Sequence, residues 1–500
     1  MHDFVHRWAT VDASRVAIED VGRGRTLTYG QLDDRAARLA SGIAEIVPPK
    51  GRVAMACEGR AEVFEAMLAC AKAGRTLVPL NTRQPLAKLR SIVQSAAPTA
   101  IVYDDTFAEL VAGLDVPVGI ALGKARVSGE DRTYESWLGL PRHGAVALED
   151  VPLVLYTSGT TSAPKGVCIT WRQIVFNAVA TSLAAGLTTQ DRALACLPLF
   201  HTGGLHCLAT PLLHRGGSIV LTPGFDAERE AARLRAGDVT TTIAVPTMYE
   251  SLWQAGLKGE GLDRAMPHLK ALLCGGAPLS HTLHARFLDA GLPLRQGYGL
   301  TEVGPNCFTL SPLEGARRLD TVGVPTFHLD ARLMRDDGSE CEVGEPGELW
   351  LRGPVVTAGY WDAPELTAKS LDTDGFFHTG DVLVRDEAGF FAVVDRKKDM
   401  FISGGENVYP ASVAAALEEH PAFAEVAVIA VPDARWGEVG MACFVLRAGM
   451  ACPDDETLRA WCRGHLAGYE IPRHWCALDA LPRTPTGKVD REALRARATR

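Results

Sequence analysis

The sequence predicts an α/β protein: a large N-terminal domain of layered α/β subdomains with a small β-barrel, then a small, mobile α+β C-terminal domain. Three observations carry this. Short β-branched runs such as "RVAMAC" (Arg52 to Cys57), "TAIVYD" and "GSIVLT" alternate with alanine-rich helical patterns such as "LDDRAARLASGIAEI". Alternation without an internal repeat is the signature of layers around largely parallel sheet. From about Asp330 to Asp395, "ARLMRDDGSECEVGEPGELWLRG" and "GDVLVRDEAGFFAVVDR" read as strands broken by DG, GE and AG turns, which gives antiparallel sheet or a small barrel. After "DRKKD", helical "ASVAAALEEHP" and "DDETLRAWCRGHL" flank the strands "AEVAVIAVP" and "MACFVLRAG", a unit of about a hundred residues. The expected domains are 1–395 and 400–500. Residues 396–399 between them are charged, short and free of the Ser/Gly composition of a floppy tether, and read as a hinge.

Composition narrows the function. The 500 residues, 47% apolar and 22% charged, fit a soluble globular chain of roughly three folding units. A net charge of -9 gives no broad attraction for nucleic acid or anionic lipid, so any polyanion is held locally. The opening "MHDFVHRWATVDASRVA" lacks the pattern of a secretory leader, and no apolar run is long enough to span a bilayer. The cytoplasm is the expected location, as a monomer or a homodimer. The 12 cysteines are scattered without a repeated CxxC or a Cys/His cluster, which argues for small buried hydrophobes over disulfides or structural zinc.

The chemistry begins at "YTSGTTSAPKG", Tyr156 to Gly166, behind the strand-like "VPLVLYT". Gly159 and Gly166 permit close backbone approach, Thr157, Ser158, Thr160 and Thr161 offer hydroxyls, and Lys165 offers charge: the parts of a phosphate cradle, or of a solvated turn. The order Pro164-Lys165-Gly166 is not that of a Walker A loop. Thr170 is placed to cap the helix that follows.

This segment resembles the phosphate-binding signature of the adenylate-forming enzymes, the superfamily of acyl-CoA synthetases, nonribosomal-peptide adenylation domains and firefly-type luciferases. Further motifs follow in the family's order: "LLCGGAPL" (Leu272 to Leu279), "QGYGLTEVGP" (Gln296 to Pro305), "FHTGD" (Phe377 to Asp381), "DRKKDMFISGGENVYP" (Asp395 to Pro410) and "PRTPTGKVDR" (Pro482 to Arg491). The resemblance spans essentially the whole chain. It implies an ATP-dependent acyl-CoA synthetase that activates a fatty or aryl carboxylic acid as acyl-AMP, releases pyrophosphate, and forms the CoA thioester with release of AMP. ATP, Mg²⁺ and CoA are the implied cofactor and co-substrates. A carrier-protein phosphopantetheine is the alternative acceptor, and a non-catalytic nucleotide-binding scaffold the alternative of another class.

Residue by residue, the resemblance makes Glu302 the Mg²⁺ ligand, a fitting hard oxygen donor, and Thr301 a donor to the α-phosphate. Gly276, Ala277, Pro278, Gly297, Tyr298 and Gly299 would line the adenine, with Tyr298 stacking on it. Asp381 would hold the ribose, and Arg396 the same ribose or the phosphate; read without the resemblance, Asp381 is an N-cap or turn residue and Arg396 a surface partner of Asp395. Lys488 would bridge the acid and the α-phosphate during adenylation, although a C-terminal lysine is ordinarily a solvated charge. The hinge falls on Lys398. Gly404 and Gly405 would border the pantetheine path, and Trp436 and Tyr469 would stack on the CoA adenine, although core packing suits both aromatics as well. Glu470 stands where a lysine is usual, and Ser162 where a glycine is usual.

"LPLFHTGGLH" resembles the motif that lines the acyl pocket, with His201 as its gate and Gly203 and Gly204 leaving room. It lacks the aspartate by which amino-acid-activating relatives meet an ammonium, so an acid without an α-amine is expected. Asn306 would lie deeper, where a buried amide seeks a polar substituent or water.

Overall fold

The computed structural model describes residues 3–129, 131–157, 164–259, 261–310, 318–403, 406–433, 435–484 and 487–498. The chain divides into two compact units. The first comprises Met1–Leu319, Gly323–Asp330 and Leu351–Phe377, and the second Asp320–Val322, Ala331–Trp350 and His378–Arg500.

Two seven-stranded sheets organise the first unit. In one, the strands run in the order Leu294–Gln296, Ala271–Cys274, Thr241–Ala244, Arg192–Ala195, Ser218–Leu221, Val16–Asp20 and Arg25–Thr28; all neighbours are parallel except the last pair. In the other the order is Arg132–Thr133, Val118–Ala121, Ala100–Tyr103, Arg52–Ala56, Thr76–Pro79, Leu153–Thr157 and Lys165–Ile169, again parallel until its final antiparallel pair. One hydrophobic cluster draws Ile18, Ile219 and Leu221 from the first sheet and Val53, Leu77 and Leu155 from the second, together with Leu39 and Phe64 from helices. The helix Glu62–Ala73 is buried along its whole length, including Glu65, whose carboxylate is met by Arg25, Arg35 and Tyr134. Burial on every face explains why this helix is apolar or alanine at every position but Glu62, Glu65 and Lys72.

The ends of parallel strands carry several of the expected site residues. In open α/β sheets ligands lie beyond the carboxyl ends of the strands. The segments after Arg192–Ala195, Ala271–Cys274 and Leu294–Gln296 are the ones that carry His201, Gly276 and Gly297. An antiparallel three-stranded sheet, Tyr298–Leu300, Gly304–Thr309 and Val324–Pro325, continues from the last of them.

In the second unit, the expected antiparallel sheet or barrel takes the form of a four-stranded sheet in the order Asp330–Met334, Gly347–Arg352, Phe377–Arg385, Phe391–Arg396. These four strands do not close on themselves. A five-stranded sheet follows, built on the long hairpin Phe423–Asp433 and Gly437–Leu446. The four-stranded sheet groups largely with residues 400–500 because specific bonds tie them. Buried Asp395 accepts from Ala411 N at 2.6 Å and Arg396 N at 2.7 Å, Ser412 Oγ donates to Val394 O, and Arg491 reaches Asp399 at 2.7 Å and Asp395 at 3.7 Å. Burial raises the Asp395 carboxyl above the ordinary aspartate range. All 12 cysteines are free thiols, eight of them buried.

Candidate active site

In the first unit the strands on either side of the expected cradle pair antiparallel: Thr157 with Lys165 and Tyr156 with Gly166. Ser158, Gly159, Thr160 and Thr161 lie outside the described residues. Thr170 caps the next helix, its hydroxyl accepting from Gln173 N at 3.1 Å, as the sequence predicts.

Thr301 and Glu302 occupy a single 3₁₀ turn, Thr301–Val303. The turn is clamped from two directions. Gln173, buried in the helix Trp171–Ala185, donates Nε2 to Thr301 O at 3.0 Å. On the other side Thr357 N donates to Glu302 O at 2.7 Å, and the Tyr360 hydroxyl donates to Glu302 Oε1 at 3.1 Å. Tyr360 also bridges antiparallel to Val167, while Trp361 N bonds Gly166 O at 2.7 Å and Cys168 N bonds Gly359 O at 2.9 Å. Segment 357–361 therefore joins the strand that leaves the cradle to the turn that presents Glu302. Burial, and then the Glu302 charge, push the Tyr360 phenol well above its ordinary pKa, so it stays a proton donor. Neither Gln173 nor Tyr360 is legible as a site residue in the sequence. The sequence signal that could have found Tyr360 is the aromatic pair in "AGYW".

Tyr298 packs edge-on against Phe308, ring centroids 5.7 Å apart. Gly299 is required by its hairpin: a Cβ there would lie 2.2 Å from the carbonyl carbon of Pro305. Gly297 N bonds Cys274 O at 2.9 Å, which brings the "GYG" segment beside Gly276, Ala277 and Pro278 at the adjacent strand end. His201 caps the helix Thr202–His206, its Nδ1 accepting from Gly203 N at 3.2 Å, a bond that requires the other ring nitrogen to carry the proton when the ring is neutral. Gly204 cannot carry a side chain, since a Cβ would stand 2.3 Å from Pro198 O. Asn306 donates to Thr181 Oγ1 at 2.7 Å and Cys207 O at 2.9 Å, so its amide is anchored by protein.

In the second unit Asp381 is 4% exposed. It lies within a strand, opposite Arg396 in the register, and Arg396 Nε meets its Oδ1 at 3.1 Å. Arg396 therefore pairs across the sheet and not with its chain neighbour Asp395, which is engaged with backbone amides. Lys397 is held by Asp336 at 2.7 Å and Glu348 at 3.0 Å, hydrogen bonds that raise its pKa. Lys398 is exposed in the turn that follows. Gly404 and Gly405 lie outside the described residues.

Trp436 stands at the end of the long hairpin, where Asp433 Oδ1 accepts from Arg435 N and Trp436 N. The Arg435 and Arg473 guanidinium carbons lie 4.8 and 5.2 Å from its ring centroid. Tyr469 is 44% exposed. Glu470 accepts from Ala467 N at 2.8 Å and serves its own turn. Lys488 is exposed on a loop closed by Thr484 N to Lys488 O at 2.7 Å and Gly487 N to Thr484 O at 2.8 Å.

Comparison with known proteins shows the family: the AMP-binding enzyme family matches residues 5–361, and the AMP-binding enzyme C-terminal domain matches residues 412–488. The chain belongs to the AMP-binding enzyme family. Among relatives of this AMP-binding enzyme, a feruloyl-CoA synthase of Amycolatopsis is 39% identical over 95% of this chain and 94% of its own. An indoleacetate–CoA ligase of Aromatoleum aromaticum is 32% identical over 99% and 97%. An o-succinylbenzoate coenzyme A synthetase from Bacillus subtilis, solved with ATP and magnesium ion, superposes with a TM-score of 0.85 at 30% identity, covering 99% of both chains. Among the described residues no helix is long and apolar enough to cross a membrane.

If Glu302 holds Mg²⁺, the Tyr360 hydroxyl orients the metal's ligand. Tyr360→Phe is then expected to raise the Mg²⁺ concentration for half-maximal adenylation about tenfold, with a smaller change at saturating metal. A Mg²⁺ titration of acid-dependent pyrophosphate release checks this; an unchanged midpoint refutes it.

Proposed function

We propose that the protein is an ATP- and Mg²⁺-dependent acid–thiol ligase acting on an aromatic carboxylic acid that lacks an α-amine. The acid's carboxylate oxygen attacks the α-phosphorus of ATP and pyrophosphate leaves; the CoA thiolate then attacks the acyl carbonyl and AMP leaves. The observation that carries the reading is the clamped Thr301–Glu302 turn, which fixes a metal-binding carboxylate before any ligand arrives. Mg²⁺ held there neutralises phosphate charge. Asp381, paired to Arg396, receives the ribose hydroxyls, Tyr298 and the Gly276–Pro278 segment receive the adenine, and Lys488 stabilises the charge that develops during adenylation. ATP and CoA as substrates make the cytoplasm the expected location.

Two features support the finer choices. The relatives named for feruloyl-CoA, indoleacetate and o-succinylbenzoate all take ring-bearing acids. Both amide hydrogens of Asn306 are spent on protein, so the residue can still offer an acceptor, which suits a ring hydroxyl and not a second carboxylate. For the acceptor, Trp436 with Arg435 and Arg473 beside its ring brings an aromatic surface and cations together, which suits the purine and phosphates of free CoA. Trp436→Ala is expected to raise the KM for CoA about tenfold and leave adenylation unchanged. The deciding experiment is a panel of aromatic and aliphatic acids scored for thioester, with CoA and a phosphopantetheinylated carrier offered in parallel. Failure of every acid to support pyrophosphate release refutes the reading.

A further inference from the structure

We propose that Arg483 and Glu425 form a strut that sets the position of Lys488, and that Arg483 is a positioning residue for the adenylation step; this rests on the role given to Lys488 above. Arg483 uses its guanidinium in two directions. Nη1 donates to Gly487 O at 2.9 Å, and Nη2 donates to Glu425 Oε2 at 2.7 Å. The Gly487 carbonyl belongs to the peptide that joins Gly487 to Lys488, so the bond grips the plane from which the Lys488 Cα departs. Glu425 stands on the strand Phe423–Asp433, paired along its length with Gly437–Leu446 and therefore among the stiffest parts of its unit. The register shifts between Phe423 and Glu425, an irregularity of the kind that re-aims a side chain. The bridge Arg483 to Val489 and the bond from Thr484 N to Lys488 O close the loop on itself. The Arg483–Glu425 pair ties the loop, through side chains, to the sheet.

Magnitudes place the effect in catalysis and not in folding. The side chains are 33% and 42% exposed, and an ion pair so accessible adds little to stability. A displaced catalytic group is another matter, since about 1 Å of misplacement can cost on the order of 10²-fold in rate. A fork-shaped guanidinium reaches a carbonyl and a carboxylate at once; a lysine has one ammonium for both.

The test measures the two half-reactions separately: acid-dependent ATP–pyrophosphate exchange, and thioester formation from supplied acyl-AMP and CoA. Arg483→Ala is expected to lower the exchange rate ten- to hundredfold with little change in the KM for ATP or acid, and to leave thioester formation intact, which also reports that the variant is folded. Arg483→Lys should fall between wild type and Arg483→Ala. Glu425→Ala should act in the same direction, and the double variant should be no worse than Arg483→Ala alone. Exchange by Arg483→Ala within twofold of wild type, parallel loss of both half-reactions, or additive losses in the double variant would each overturn the strut. Lys488→Ala in the same assay separates the two ideas. If it still exchanges, the role of Lys488 fails; if it is dead while Arg483→Ala is normal, the strut alone fails.

Discussion

Lys488→Ala is expected to lower adenylation by roughly 10²- to 10³-fold while thioester formation from supplied acyl-AMP stays within a fewfold of wild type. The magnitude is that of removing one preorganised charge stabiliser from a transition state. The asymmetry follows from timing: the lysine is needed where two anions meet, and that encounter is over once the mixed anhydride exists. Lysine is scarce in this chain, 11 of 51 basic residues, and Lys488 stands on a loop with its own closing bonds and a guanidinium tether, which distinguishes it from a drifting surface charge. Equal loss in both half-reactions would refute the assignment.

Lys398→Pro is expected to reverse that pattern. Residue 398 lies in the turn between the strands Phe391–Arg396 and Phe401–Ser403, the position proposed for the hinge. A proline fixes φ and so removes the torsional freedom a rotation would use. If the rotation serves only the second step, pyrophosphate exchange should persist near wild-type rate while overall CoA turnover falls at least tenfold. Rapid-quench measurement of acyl-AMP shows the result directly, as an adenylate that accumulates and is not consumed. Full two-step turnover would remove the hinge from Lys398.

What the sequence made legible was whatever depends on near neighbours along the chain. Thr301 and Glu302 stand together within one turn of a motif that the family resemblance picks out, and the Thr170 cap reaches an amide only three residues away, so near-neighbour pattern finds it. Partners set by sheet register were hidden. Arg396 sits beside Asp395 in the chain, yet strand pairing puts it opposite Asp381. Tyr360 is 58 positions from Glu302 and reaches it because segment 357–361 is laid against the strand Lys165–Ile169. Asn306 read as an amide in search of a partner, and the fold supplies two from a helix and a loop about a hundred residues away or more. The layered α/β class followed from alternating periodicities. The open form of the four-stranded sheet did not, because turn residues fix hairpins and not closure.

The bond from Ala411 N to buried Asp395 has a kinetic meaning. It crosses the turn at Lys398, so any swing of the residues beyond that turn must first strip a desolvated carboxylate of a backbone donor. If the proposed rotation at Lys398 operates, such a catch would resist opening until something compensates the stranded charge, and the switch between half-reactions would be a discrete jump over a barrier and not a continuous drift.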